Sequence, residues 1–174
     1  KAFHKNTKEE IIKSNLYYKE GDNINPFLLA DNERHLRSLV FLQDAKIVLQ
    51  PSSNHKQDVD MIVYTKDVFS IGVGGGGSSL DNYNLELKEE NLVGTASKLS
   101  VSTLHDVNRS PRSGWALDYI KRNINKTFSN LSVGFKTFNS TFNTGRPDET
   151  LVYAKLERPM ISPYLPWIGS AEIN

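Results

Sequence analysis

Residues 69–106 read FSIGVGGGGSSLDNYNLELKEENLVGTASKLSVSTLHD, and the period of that stretch decides the fold class. Phe69, Ile71 and Val73 alternate with Ser70, Gly72 and Gly74, and Tyr83, Leu85 and Leu87 alternate with Asn84, Glu86 and Lys88. Leu99, Val101 and Thr103 follow against Ser100 and Ser102. Successive side chains of a strand point to opposite faces, so this pattern describes strands with one apolar and one polar face. It continues downstream with Trp115, Leu117 and Tyr119 against Ala116 and Asp118, then Leu131, Val133 and Phe135 against Ser132, Gly134 and Lys136. Residues 151–158 and 167–173 bring the expected count to about seven strands, with no helix needed after Val68.

The connections alternate between tight (NLVGTA, INKTF, PMISPYLP) and long and polar (HDVNRSPRS, NSTFNTGRPDE). Short turns at one end and long loops at the other are the habit of an outer-membrane barrel. A soluble β-sandwich shares the period, so the second face must discriminate. That face is rich in Ser, Gly and charge, and Tyr83, Trp115, Phe128, Phe138, Tyr164 and Trp167 fall near strand ends, where an interfacial girdle would place them. The competing reading has the same aromatics packing an ordinary core.

Upstream the chain is mixed. Thr7 with Glu10 forms a capping-box pattern ahead of Ile11, Ile12 and Leu16, and Gly21 is expected to stop that helix. Asn25-Pro26 opens a second helix with Leu29, Leu36 and Val40 on its buried face and Glu33 and Arg37 as a surface pair. Residues 45–50 and 59–65 are short, β-branched and separated by a polar run, which reads as a hairpin. An α+β unit over residues 1–66 therefore precedes an all-β antiparallel unit over residues 67–174.

Composition narrows the function. The 174 residues carry 21 basic and 20 acidic side chains, a formal charge of +1, and lack the basic footprint of nucleic-acid binders. Cysteine is absent, so disulfides, zinc ribbons and thiol nucleophiles are excluded. No apolar run is long enough for a membrane-spanning helix, which says nothing against a β-barrel.

The segments ENLVGTASKLSVSTLHD (90–106), NINKTFSNLSVGF (123–135) and LERPMISPYLPWIGSAEI (156–173) resemble successive barrel hairpins of the Omp85 superfamily of outer-membrane proteins. Residues 16–50, with VDMIVYTKDVFSIG after them, resemble a POTRA domain running into the first barrel strand. The resemblance implies a POTRA domain of three strands, of which the first is missing here, and a barrel of about sixteen strands. Seven open strands would leave an unsatisfied edge in lipid, so the chain is expected to be part of a longer polypeptide. The implied location is the bacterial outer membrane, with the POTRA part in the periplasm. Implied partners are the lipid bilayer, client outer-membrane proteins and periplasmic or lipoprotein accessory subunits. The implied function is assembly and insertion of outer-membrane proteins, without cofactor or enzymatic chemistry. Alternatives are a polypeptide translocation pore of the same superfamily and a secreted β-sandwich adhesin or lectin.

Three groups of residues follow as candidates. Phe69, Ile71, Gly72, Val73, Gly74, Gly75, Gly76 and Gly77 form a strand weak in cross-strand pairs, which the resemblance places against the last barrel strand as a lateral gate. Ala45, Lys46, Ile47, Val48, Leu49 and Gln50 are the implied free edge of the POTRA sheet, open to strand addition. Period two puts Glu86, Lys88, Asp118, Lys136, Lys155 and Glu157 on the lumen face, and Leu85, Leu87, Leu117, Leu131 and Val133 on the lipid face.

Other signals are weak. Gly74 to Gly77 with Ser78-Ser79 lacks the Gly-Lys-Ser/Thr ending of a phosphate loop, and also looks like a linker. His4, His35, His55 and His105 lack metal-ligand spacing and read as surface residues. His105-Asp106 has no nucleophile elbow nearby, and Glu89-Glu90 reads as a solvated pair. Asn108, Asn125, Asn130 and Asn139 head sequons of a kind that chance produces in a chain rich in Asn, Ser and Thr.

Overall fold

The computed structural model describes residues 5–53, 58–138, 150–163 and 167–174. The elements run α1 Glu9–Ser14, α2 Pro26–Ser38, β1 Leu42–Pro51, β2 Val59–Asp67, β3 Ile71–Ser79 and β4 Asn82–Glu89. They continue with β5 Ser97–Asp106, β6 Ser113–Ile124, β7 Ser129–Lys136, β8 Leu151–Arg158 and β9 Gly169–Ile173. β1 and β2 form an antiparallel pair, and β3 to β9 form a second antiparallel sheet in sequence order. The seven strands expected from the period are those of this sheet. Among the described residues the sheet is not closed, and β3 and β9 are its edges.

Asn25 caps α2 as expected, its side chain accepting from the backbone N–H of Phe27 and Leu28, with Pro26 at the first helical position. α1 departs from its expected form. It is six residues long, starts after Lys8 without a side-chain cap, and ends at Ser14, well before Gly21. The capping box does not form because Thr7 is engaged elsewhere: its hydroxyl accepts from Asn91 Nδ2 at 2.8 Å, and its N–H donates to Asp67. Val40 also differs from expectation. It lies past the end of α2 and is 55% exposed, while its neighbour Phe41 is buried.

The hydrophobic core is small and one-sided. Leu36, Phe41, Leu42, Ala45 and Ile47 form it together with Ala96 from the turn after β4, and Ile11, Ile12, Leu16 and Leu29 pack around them. The large sheet has almost nothing inside. Val73, Leu85, Leu87, Val101, Trp115, Leu117, Val133, Val152, Leu156 and Ile173 share one of its faces by register and are all exposed. A sandwich would need a second sheet over them, and among the described residues none covers that face.

Candidate functional site

Two hairpin turns at one end of the sheet, together with residues 161 and 162 after β8, converge on the helices. The turn between β4 and β5 contains Val93 and Ala96, both with positive φ (55° and 56°), a conformation that is a genuine outlier for a β-branched residue. Hydrogen bonds hold it there. Asn91 Oδ1 accepts from Ala96 N–H at 2.8 Å, Asn91 Nδ2 reaches Thr7, and Lys8 N–H donates to the Gly94 carbonyl at 3.0 Å. Gly94 has φ +72°, and a Cβ there would collide with the Asn6 carbonyl, so only glycine lets the segment before α1 cross the turn so closely.

Arg122 of β6 clasps the same turn from the polar face. Its guanidinium donates to the Glu90 carbonyl at 2.9 Å, the Ala96 carbonyl at 3.0 Å and the Glu90 carboxylate at 2.6 Å. Glu90 is therefore no solvated residue: burial raises its pKa, but the Arg122 hydrogen bond and charge, together with the charges of Lys98 and Lys88, outweigh that and hold the carboxyl below its ordinary range. Sequence reasoning missed the clasp because Arg122 lies 32 positions downstream.

At the end of β6, Asn123 Nδ2 donates to the Ser14 carbonyl at the end of α1, at 2.9 Å. Phe128 meets Tyr17 and His35 edge-on, each at 5.6 Å, and those two rings stack at 5.5 Å. Phe128 is thus a docking residue rather than part of a girdle. His35 is buried, contrary to its surface reading, with Nε2 beside Asn15 Oδ1 at 3.3 Å. Burial pushes its pKa down to about 4, and Arg34 adds to this while Asp31 opposes it, so the ring is neutral near pH 7. Past the end of β8 the Ser162 hydroxyl holds the Asp31 carboxyl below its ordinary range, assisted by Arg34, and Tyr17 Oη donates to the Ile161 carbonyl at 3.4 Å. Between helices and turns lies a cleft of about 150 Å³, lined by His35, Phe41, Ala96, Arg122 and Phe128 among others.

The sheet itself separates cleanly by face. Glu86, Lys88, Asp118, Lys136, Lys155 and Glu157 share the polar face by register. They pair there: Lys136 with Asp118 at 3.7 Å, Lys155 with Glu157 at 2.5 Å, and Lys98 with Glu86 at 3.7 Å. Tyr153 donates to Asp118 at 2.6 Å and its ring lies where a Gly134 side chain would be. Leu85, Leu87, Leu117, Leu131 and Val133 share the opposite face, whose charges Glu89, Lys121 and Arg158 stand at strand ends beside the helices. Tyr83 with His105 (5.4 Å) and Trp115 with Phe135 (4.9 Å) stand toward the far end of the same face, and Trp167 stacks on Arg158 (4.4 Å) at the near end. Phe138 leaves the expected girdle, because it packs over Gly114 on the polar face. Tyr164, His4, His55 and Asn139 lie outside the described residues.

Gly72 to Gly77 sit inside β3, paired residue by residue with β4, which excludes both a phosphate loop and a linker. The glycines are not equivalent. At Gly75 and Gly77 a Cβ would press on the backbone of β4, whereas at Gly74 it would meet only Glu86 side-chain atoms at 3.8 Å. Phe69 precedes the strand and is 67% exposed. On β1, Ala45, Lys46, Ile47, Val48, Leu49 and Gln50 pair with β2 from Thr65 to Asp60, leaving the opposite edge of β1 without a strand among the described residues. His105 Nδ1 lies 2.7 Å from Ser113 Oγ, but Asp106 faces the other way, toward Asn82 and the Asn108 N–H, so no triad forms.

No family model and no curated protein matches the sequence. Among solved structures, the fold is similar to that of BamA from Haemophilus ducreyi lacking POTRA domains 1–3, with a TM-score of 0.62 and 16% sequence identity. The match covers 87% of this chain and 29% of that one. The chain thus spans under a third of the length of that structure, and the likeness establishes an antiparallel BamA barrel-like fold, open in the residues described here.

Proposed function

We propose that this chain is part of an outer-membrane assembly and insertion factor of the Omp85 type. In this reading α1, α2, β1 and β2 are a POTRA-like unit in the periplasm and β3 to β9 are the first strands of a transmembrane barrel. The observation that carries it is the bare apolar face of the large sheet. Ten large apolar residues lie on it without cover, its charges are confined to the strand ends, and β3 to β6 have 8 to 12 residues each. A tilted membrane strand needs about 9 to 11. Hydrocarbon is the solvent that such a face fits, and a sheet with one lipid-facing and one polar face belongs to a barrel wall.

The function requires no covalent chemistry. A client strand pairs along the edge of β1, and the seam at β3 supplies a second template once it parts from the final strand of the barrel. Gly72, Gly74 and Gly76 offer no side chains for cross-strand packing, so the seam is the weakest line of the wall. Lipid, client outer-membrane proteins and periplasmic or lipoprotein subunits are the partners.

The test uses the full-length protein with one cysteine at Gly74, where there is room for a side chain, and another on the facing final strand. Crosslinking is expected to stop client assembly in cells, with recovery on reduction. Normal growth with the crosslink fully formed overturns the gate. Extraction of the protein from membranes without detergent overturns the barrel.

A further inference from the structure

The edge of β1 offered to clients is already partly occupied by side chains of this chain. Ile47 N–H donates to Glu33 Oε2 at 2.7 Å, and the Ala45 carbonyl accepts from Arg37 Nε at 2.8 Å. Both backbone groups point away from β2, since antiparallel neighbours alternate between inward and outward hydrogen bonding. Ala45 N–H is taken by Asp44 Oδ1 at 2.8 Å. Arg37 binds Glu33 at 2.7 Å and Asp44 at 3.3 Å, so the three side chains form one connected cover over residues 45–47. At the end of the strand Pro51 has no N–H to offer. Among the described residues, what remains on the outward edge is the Ile47 carbonyl, both backbone groups of Leu49 and the Pro51 carbonyl. Charges and proline laid along an edge are how sheets resist unwanted pairing.

We propose that Glu33, Arg37 and Asp44 are a latch on this edge, and that an incoming strand docks first at Leu49 and extends past Ile47 only by displacing Glu33 and Arg37. The proposal rests on the reading of β1 as the client edge, and it adds a selectivity step to it. A segment that forms a single pair of hydrogen bonds at Leu49 dissociates, while one that pairs along the strand replaces the latch bonds one for one. α2 then loses two of its ties to β1, which gives the helix a means to register that the edge is occupied.

The latch can be tested with the full chain in detergent micelles and a peptide of residues 129–136, SNLSVGFK, as a model client strand. Residue-level hydrogen exchange is read at Ile47 and Leu49, with Lys46 and Val48, which pair with β2, reporting that the hairpin is intact. Glu33→Ala is expected to speed exchange at Ile47 at least tenfold, and the peptide is expected to protect Leu49 in it at a concentration at least fivefold lower than wild type needs. Glu33→Gln keeps the acceptor and should behave as wild type. Arg37→Ala leaves the Ile47 bond in place, should also lower the peptide concentration needed at Leu49, and serves if Glu33→Ala loses protection at Lys46 and Val48. Equal protection of Leu49 by the peptide in wild type and variants overturns the latch and leaves the client edge standing. Protection at Leu49 in none of them overturns the edge, and the latch with it.

Discussion

The two sheets of this molecule solve the problem of apolar surface in opposite ways. The α/β unit hides its hydrophobic residues: Leu36 of α2 and Phe41 and Ala45 beside it are at most 1% exposed. The sheet of β3 to β9 hides few of its apolar residues, with Val73 at 79% and Ile173 at 78% exposed. An apolar face is favoured where water is not. Only the α/β unit meets that preference with its own residues. The larger sheet needs an apolar environment from outside, so its stability is a property of sheet and surroundings together.

The contrast is sharpest in the response to mutation. Phe41→Ala should destabilise the α/β unit by about 3 to 5 kcal/mol, since it deletes the largest fully buried side chain. The loss is measured by denaturant unfolding in detergent and should be nearly the same in any micelle. Val133→Arg should cost about 2 to 4 kcal/mol, provided that the apolar face meets hydrocarbon. Refolding into bilayers reads it, and the neighbouring Ser132→Lys, on the polar face, is expected to be tolerated. If Ser132→Lys were the damaging change, the faces would be exchanged.

The junction of the two units carries a smaller, pH-dependent effect. His35 is buried neutral with its pKa at about 4, below its unfolded value of about 6.5. The unfolded chain therefore binds the proton first as pH falls. The stability this site contributes is complete above about pH 6.5 and is lost progressively toward pH 4, by up to about 3 kcal/mol. Thermal unfolding at pH 7 and pH 4.5 should show the loss in wild type and less of it in His35→Phe, which keeps a ring stacked on Tyr17 and edge-on to Phe128. An identical pH response in the two proteins would remove His35 from the junction's energetics.

The smallest effect is expected at the glycine strand. Gly74→Val should stabilise β3 against β4 by about 0.5 to 1 kcal/mol, by restricting the unfolded backbone and adding a cross-strand contact. The change is read as slower exchange of β3 amides and, on the proposed function, slower client assembly. The same substitution at Gly75 should weaken the strand, because the new Cβ meets the Asn84 carbonyl at 2.9 Å.

How much of this was legible beforehand depends on the range of the interaction. Period-two alternation gave seven strands and sorted Glu86 from Leu87 and Asp118 from Leu117 onto opposite faces, because side-chain direction in a strand is set by the backbone of neighbouring residues alone. Asn25-Pro26 marked the start of α2 for the same reason. The capping box at Thr7, the solvated reading of Glu90, the surface reading of His35 and the girdle reading of Phe128 all failed at one place, where the helices meet the turns. There Thr7 is held by Asn91, Glu90 by Arg122, and His35 by Phe128, partners 32 to 93 positions away in the chain. The sequence by itself determined the elements, their order and the two faces of the sheet, since each follows from local stereochemistry. The tertiary structure alone decided the docking of two turns and of residues 161 and 162 on the helices, the covered edge of β1 and the inequivalence of the β3 glycines. Those depend on close approach between segments that no local pattern encodes.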